Sequence, residues 1–162
     1  MENLKFKGKY FFELIRNNKV IKEKVIENHI TDSALSSIIS NYFDNGSPSS
    51  NLYIGLILSG DVSEPNIDTL TDLFSTCVEN ENYSGNRRLW IPSVVNHEVS
   101  NINNKVEFLL NQNTDIMGIF LCGVESKAIK TGFLFSTAVN LDFGLLQNDI
   151  IKLSYKITTQ SA

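Results

Sequence analysis

The sequence is poor in the residues that most often carry chemistry. Its 162 residues include two cysteines, two histidines, one tryptophan and three prolines. Cys77 and Cys122 stand far apart and belong to no CxxC pair, so no metal framework is visible. One disulfide could join them, but a reducing cytoplasmic origin favours two buried thiols. Long apolar runs are also missing. The longest, Leu52–Leu58 and Ile116–Cys122, fall well short of a bilayer span. The opening Met1-Glu2-Asn3-Leu4-Lys5-Phe6-Lys7 lacks the apolar core and small-residue cleavage site of a signal peptide. Gly55, Gly60 and Gly85 are isolated, with no Lys-Ser/Thr after a glycine, which excludes a phosphate-binding loop. A soluble, cytoplasmically made protein with no membrane partner and no cofactor is expected.

What is present is ordinary globular material, with 42% hydrophobic and 20% charged residues. A net charge of −4 argues against direct nucleic-acid binding, which needs many cations to neutralise phosphates. The charge is unevenly spread. Residues 1–30 hold seven Lys/Arg against four Asp/Glu, while residues 44–100 hold only Arg87 and Arg88 against eight acids. Such a split can steer identical subunits head to tail. The simpler reading, two solvated faces, is preferred.

The length fits a single domain over residues 1–162, and no repeat or boundary interrupts it. Phe6, Tyr10, Phe12 and Leu14 alternate with Lys5, Lys7, Lys9 and Glu13, the period of a strand buried on one face. Asn17-Asn18 supplies a tight turn, because Asn tolerates left-handed backbone. A return strand over Val20–Glu27 completes a hairpin spanning 4–28. Thr31-Asp32-Ser33 offers an N-cap to a helix over about 31–43, with Ala34, Leu35, Ile38, Ile39, Tyr42 and Phe43 on its apolar face. Asp44–Asn51 reads as a loop, and Leu52–Leu58 as a strand buried on both faces. A second loop runs through Ser59-Gly60-Asp61 and Glu64-Pro65-Asn66. Asp68 is expected to cap a short helix over about 68–76 containing Leu70, Leu73 and Phe74. Arg87–Ile91, Val106–Leu110, Ile116–Cys122, Gly132–Val139 and Ile151–Ile157 read as further strands. The last alternates most cleanly, Ile151, Leu153, Tyr155 and Ile157 against Lys152, Ser154 and Lys156. The fold class expected is mainly β, an antiparallel sandwich or jelly-roll-like arrangement with one or two short helices.

Candidate sites are few. Tyr83, Arg87, Arg88 and Trp90 could bind an anion or a sugar face. The preferred reading ties an arginine to a loop carboxylate such as Glu79 and places Trp90 in the core. Asp61, Glu64, Asp68 and Asp72 lie in one stretch but lack the ligand order of a calcium loop, so solvated acids are preferred. His29 and His97 lack a nucleophile elbow or oxyanion loop beside them and read as capping or surface residues. No catalytic residues and no metal ligands are assigned, and an enzyme is not expected.

Several fragments, taken in order, resemble small virion proteins of tailed bacteriophages. Asn28-His29-Ile30-Thr31-Asp32-Ser33-Ala34-Leu35 precedes a helix, and Tyr53-Ile54-Gly55-Leu56 follows it. Then come Asp68-Thr69-Leu70, Glu79, and Tyr83-Ser84-Gly85-Asn86-Arg87-Arg88. Ile116–Leu121, Thr131–Ser136 and Asn148-Asp149-Ile150 complete the series. The chain departs from the pattern at Ser59-Gly60-Asp61 and at Asn148, where glycine is usual. The resemblance implies a non-enzymatic neck, collar, tail or fibre-associated component, assembled in a bacterial cytoplasm and docking with other virion proteins as a homo-oligomer. The basic hairpin, with Lys5, Lys7, Lys9, Lys22 and Lys24, is the expected docking element, and removing residues 1–28 is expected to leave a folded, assembly-defective chain. The alternative is a receptor- or carbohydrate-binding module presenting Tyr83, Arg87 and Trp90 on its surface.

Overall fold

The computed structural model describes residues 4–43, 51–62 and 67–161. Along them run β1 (Leu4–Arg16), β2 (Lys19–Glu27), β3 (His29–Ile30), α1 (Asp32–Phe43), β4 (Leu52–Gly60), α2 (Leu70–Thr76) and β5 (Cys77–Glu79). They continue as β6 (Arg88–Trp90), β7 (Ser93–Val95), β8 (Glu98–Ser100), β9 (Val106–Leu109), β10 (Thr114–Cys122), β11 (Leu134–Leu145) and β12 (Ile150–Ser161). All pairings are antiparallel. Two six-stranded sheets result. In the first the order is β2-β1-β12-β8-β7, with β9 also on β12; in the second it is β3-β11-β10-β4-β5, with β6 also on β4. The fold is mainly β, a sandwich with two short helices.

The hairpin forms where the Asn pair predicts it. Asn17 and Asn18 hold φ of 51° and 61°, the left-handed pair that matches strand twist. Period-2 burial then fixes which face looks inward. Tyr10, Phe12 and Leu14 of β1, and Ile151, Leu153, Tyr155 and Ile157 of β12, meet Ile54, Leu56, Ile119 and Leu121 from the second sheet in one apolar core. Tyr10 and Tyr155 stack at 4.4 Å between ring centroids. Ser154 breaks the expected alternation: it is buried on the outer face, where the Lys105–Glu13 bridge crosses over β12.

The runs at 52–58 and 116–122 are apolar throughout because the second sheet is buried on both faces. Its outer side carries a second cluster, in which Ile57, Phe120, Cys122 and Leu134 pack beneath Ile67, Leu70, Leu73 and Cys77. Gly55 belongs to this layer. A Cβ there would stand 2.2 Å from the Phe120 ring, so the close approach requires glycine. Both cysteines are free and buried.

Several expectations are corrected. The cap of α2 is Thr69, which exchanges hydrogen bonds with Asp72 in a capping box. Asp68 instead accepts the Ser33 backbone N–H at 2.8 Å and the Ser33 hydroxyl, fastening α2's entry to the first turn of α1. There its charge also complements the helix dipole. On α1, Ala34 is buried and Leu35 and Ile38 pack on the core, but Ile39 is exposed. Helical rotation turns it past the narrow apolar stripe. The side chains of Tyr42 and Phe43, residues 44–50 of the predicted loop, and Glu64-Pro65-Asn66 lie outside the described residues.

The expectation that removing residues 1–28 leaves a folded chain does not fit this architecture. Strand β1 pairs with β12 from Leu4↔Ser161 to Ile15↔Ile150 and places three large side chains in the core. Each such side chain contributes about 1.5–3 kcal/mol by its burial. The short hairpin β7–β8, turning at Asn96 with φ 55°, was not anticipated. Asn148, at the position where the resemblance expects glycine, has φ 71°, so the turn into β12 demands the left-handed region that Asn tolerates.

Candidate functional site

Of the four residues proposed for ligand contact, Tyr83, Arg87 and Trp90 lie inside the protein and Arg88 is half-buried. Arg87 is 2% exposed, Tyr83 1% and Trp90 8%. The surface patch required by the carbohydrate-binding alternative is therefore not formed. Arg87 meets Glu79 in a two-pronged ion pair, Nε to Oε1 and Nη2 to Oε2 both at 2.8 Å. Its remaining donors reach the carbonyls of Val124 at 3.0 Å and Ile129 at 3.1 Å. The guanidinium lies 5.2 Å from the Phe120 ring centre. Burial works against its charge, yet the Glu79 bonds more than offset this, and its pKa stands above the ordinary value. Lys130 reaches the same Glu79 carboxylate and also Glu81. Lys127 donates to the Tyr83 carbonyl at 2.8 Å, and burial lowers its pKa. Together these cations clamp the segment 123–132 onto the β5–β6 connection. The arrangement binds the chain to itself.

Arg88 closes the sandwich along one side. It lies 5.3 Å from the ring centres of both Tyr83 and Phe108, and donates to the carbonyls of Glu107, Asn86 and Ser84 at 2.8 Å each. Trp90 packs in the core 5.7 Å from Tyr155.

The hairpin lysines divide into three groups. Lys22 and Lys24 point inward from β2 and bridge to the second sheet, Lys22 over the Phe143 ring at 3.9 Å and Lys24 to the Asn140 carbonyl. Lys9 pairs loosely with Glu27 at 3.8 Å. Lys5 and Lys7 are exposed and have no side-chain partner among the described residues. Farther along the hairpin, opposite Phe11 and Ile15 of β1, β2 leaves Val25, Val20 and Ile21 about half exposed at the edge of the first sheet.

The outer face of the first sheet is a ladder of cross-strand ion pairs. Lys105–Glu13 measures 3.0 Å, Lys152–Glu107 2.8 Å and Lys156–Glu98 3.1 Å. At the end of the sandwich that holds the β11–β12 turn, Arg16 forks onto Asp149 at 2.8 Å twice, and Asp149 accepts the Leu146 N–H at 2.8 Å. The Arg16 bonds hold this carboxyl below the usual aspartate range.

His29 and His97 are both exposed, and burial raises the pKa of the Cys77 and Cys122 thiols. Among the described residues, no three His, Cys, Asp or Glu side chains gather where they could hold a metal ion. Likewise, among them no helix is long and apolar enough to cross a membrane. No family model, curated protein or solved structure matches this chain.

Proposed function

We propose that this chain is a non-enzymatic structural component of a bacteriophage particle, docking in symmetric copies at the neck, tail or fibre-attachment region. The carrying observation is the free edge of the first sheet. There β2 exposes Val20, Ile21 and Val25, 52%, 48% and 56% respectively. Apolar side chains on an edge strand favour association with another chain. The ordered fragments that resemble virion proteins support the same reading. So does the inward use of Arg87, Arg88 and Trp90, since these groups are engaged in holding the scaffold.

The test replaces the edge side chains and leaves β1 intact. The double variant I21E/V25E changes exposed residues, so it folds with a melting temperature near that of the parent chain. It is expected to lose self-association by light scattering and to be missing from purified particles. Incorporation at the parental level would overturn the assignment.

A further inference from the structure

Strand β2 is shorter than the strand it covers. Its pairing with β1 stops at Lys9↔Glu27, and one more bond joins the Asn28 N–H to the Gly8 carbonyl at 3.2 Å. Residues 4–7 of β1 continue along β12 with no strand on their other side among the described residues. In an antiparallel ladder the main-chain groups of alternate residues face the same edge. The N–H and C=O of Phe6 therefore face the side that the Gly8 carbonyl faces, where no strand lies among the described residues. That space is a groove of about 390 Å³ between the start of β1 and the segment Asn28–Leu35. Its floor is apolar, made by Phe6, Ile30 and Leu35, and its rim carries Lys5, Lys7 and His29.

Asn28 shapes the inner end. Its Nδ2 donates to the Tyr155 hydroxyl at 2.7 Å, while its buried Oδ1 has no partner. Gly8 makes room for this amide, since a Cβ there would stand 2.2 Å from Asn28 Oδ1 and 2.4 Å from the Tyr155 oxygen.

We propose that this groove binds an extended peptide segment with alternating acidic and apolar side chains, added as a short strand beside residues 5–7. The alternation follows from the geometry. Lys5 and Lys7 point to the outer face of the sheet and Phe6 to the inner one, so a strand laid alongside sets its odd and even side chains against opposite chemistries. Acids on one side meet the two lysines. Apolar groups on the other enter the floor. The main chain of the peptide satisfies Phe6.

This deepens the docking assignment and rests on it only for biological context. The test uses the full chain and a fluorescein-labelled peptide of alternating glutamate and leucine, followed by anisotropy. Saturable binding is expected, with slowed hydrogen exchange at the Phe6 N–H. The variant K5E/K7E, altered only at exposed positions, should bind about tenfold more weakly, equivalent to roughly 1.4 kcal/mol. It should instead accept a lysine–leucine peptide. Unchanged exchange at Phe6 would overturn the proposal. So would equal binding of a peptide N-methylated at alternate residues, or equal displacement by polyglutamate or by a single-stranded oligonucleotide. Peptide binding by the parent chain, with K5E/K7E still entering particles normally, would keep the groove and remove it from assembly. A failed peptide titration would remove the groove and leave the β2-edge test standing.

Discussion

Glu79 and Arg87 meet beneath α2 with side chains 1% and 0% exposed, whereas the ion pairs on the opposite outer face stand in solvent, Lys152–Glu107 at 35% and 54%. The two outer faces of the sandwich thus use the same chemistry to different ends. Beneath α2, the guanidinium replaces lost water with five protein contacts and pins a long connection in place. On the open face, each pair exchanges water for a partner at little net gain. Burial, rather than the number of bridges, decides which charges matter to the fold.

The sharpest way to break this contrast is Arg87→Met. It leaves the buried Glu79 carboxylate with only the half-exposed Lys130 beside it among the described residues and frees the carbonyls of Val124 and Ile129, so a loss of about 3 kcal/mol is expected in urea unfolding. A loss below that of the exposed pairs would refute the comparison. An intermediate case is Asp149→Asn, which removes a buried carboxylate from the half-exposed Arg16 and should cost about 1–2 kcal/mol at neutral pH. The folded pKa of Asp149 is depressed, so its contribution is complete above the ordinary aspartate value of about 4. It fades as pH falls below that value toward the folded pKa. Parent and variant melting temperatures should therefore converge in acid; a gap that widens there would contradict the assignment. Least affected is Lys152→Ala with Glu107→Ala, expected to change stability by about 0–1 kcal/mol and to do so less in high salt.

The same contrast explains what was readable from the sequence. Where one face is buried, the pattern is local and plain: Val106, Phe108 and Leu110 alternate with Glu107 and Leu109, and all three are buried as their period requires. The Asn17-Asn18 turn and the apolar runs of β4 and β10 were legible for the same reason. Features set by distant partners were not. Nothing near Asp68 in sequence points to Ser33, thirty-five positions earlier. The tie of Arg87 to Glu79 was readable, but the carbonyls of Val124 and Ile129 that complete its setting were not, nor was the inward turn of Lys22 onto Phe143. The hairpin β7–β8 escaped because Ser93, Val94 and Val95 are all exposed, so no alternation marks it. The candidate groove was invisible too, since it arises where one strand ends before its neighbour does.

The register Leu4↔Ser161 through Ile15↔Ile150 also has a consequence for synthesis. Strand β1 emerges from the ribosome early, but its principal neighbour is the twelfth strand of the series. Until residue 161 is free, Tyr10, Phe12 and Leu14 have only β2 beside them, and β2 buries a single residue, Ile26. A lone hairpin is marginal in water. The first sheet therefore closes only once β12 has been made, over a loop that takes in most of the described residues, and such distant pairings are slow to establish. Lysines at positions 5, 7, 9, 19, 22 and 24 keep the waiting hairpin charged, which discourages nascent chains on one message from pairing with each other.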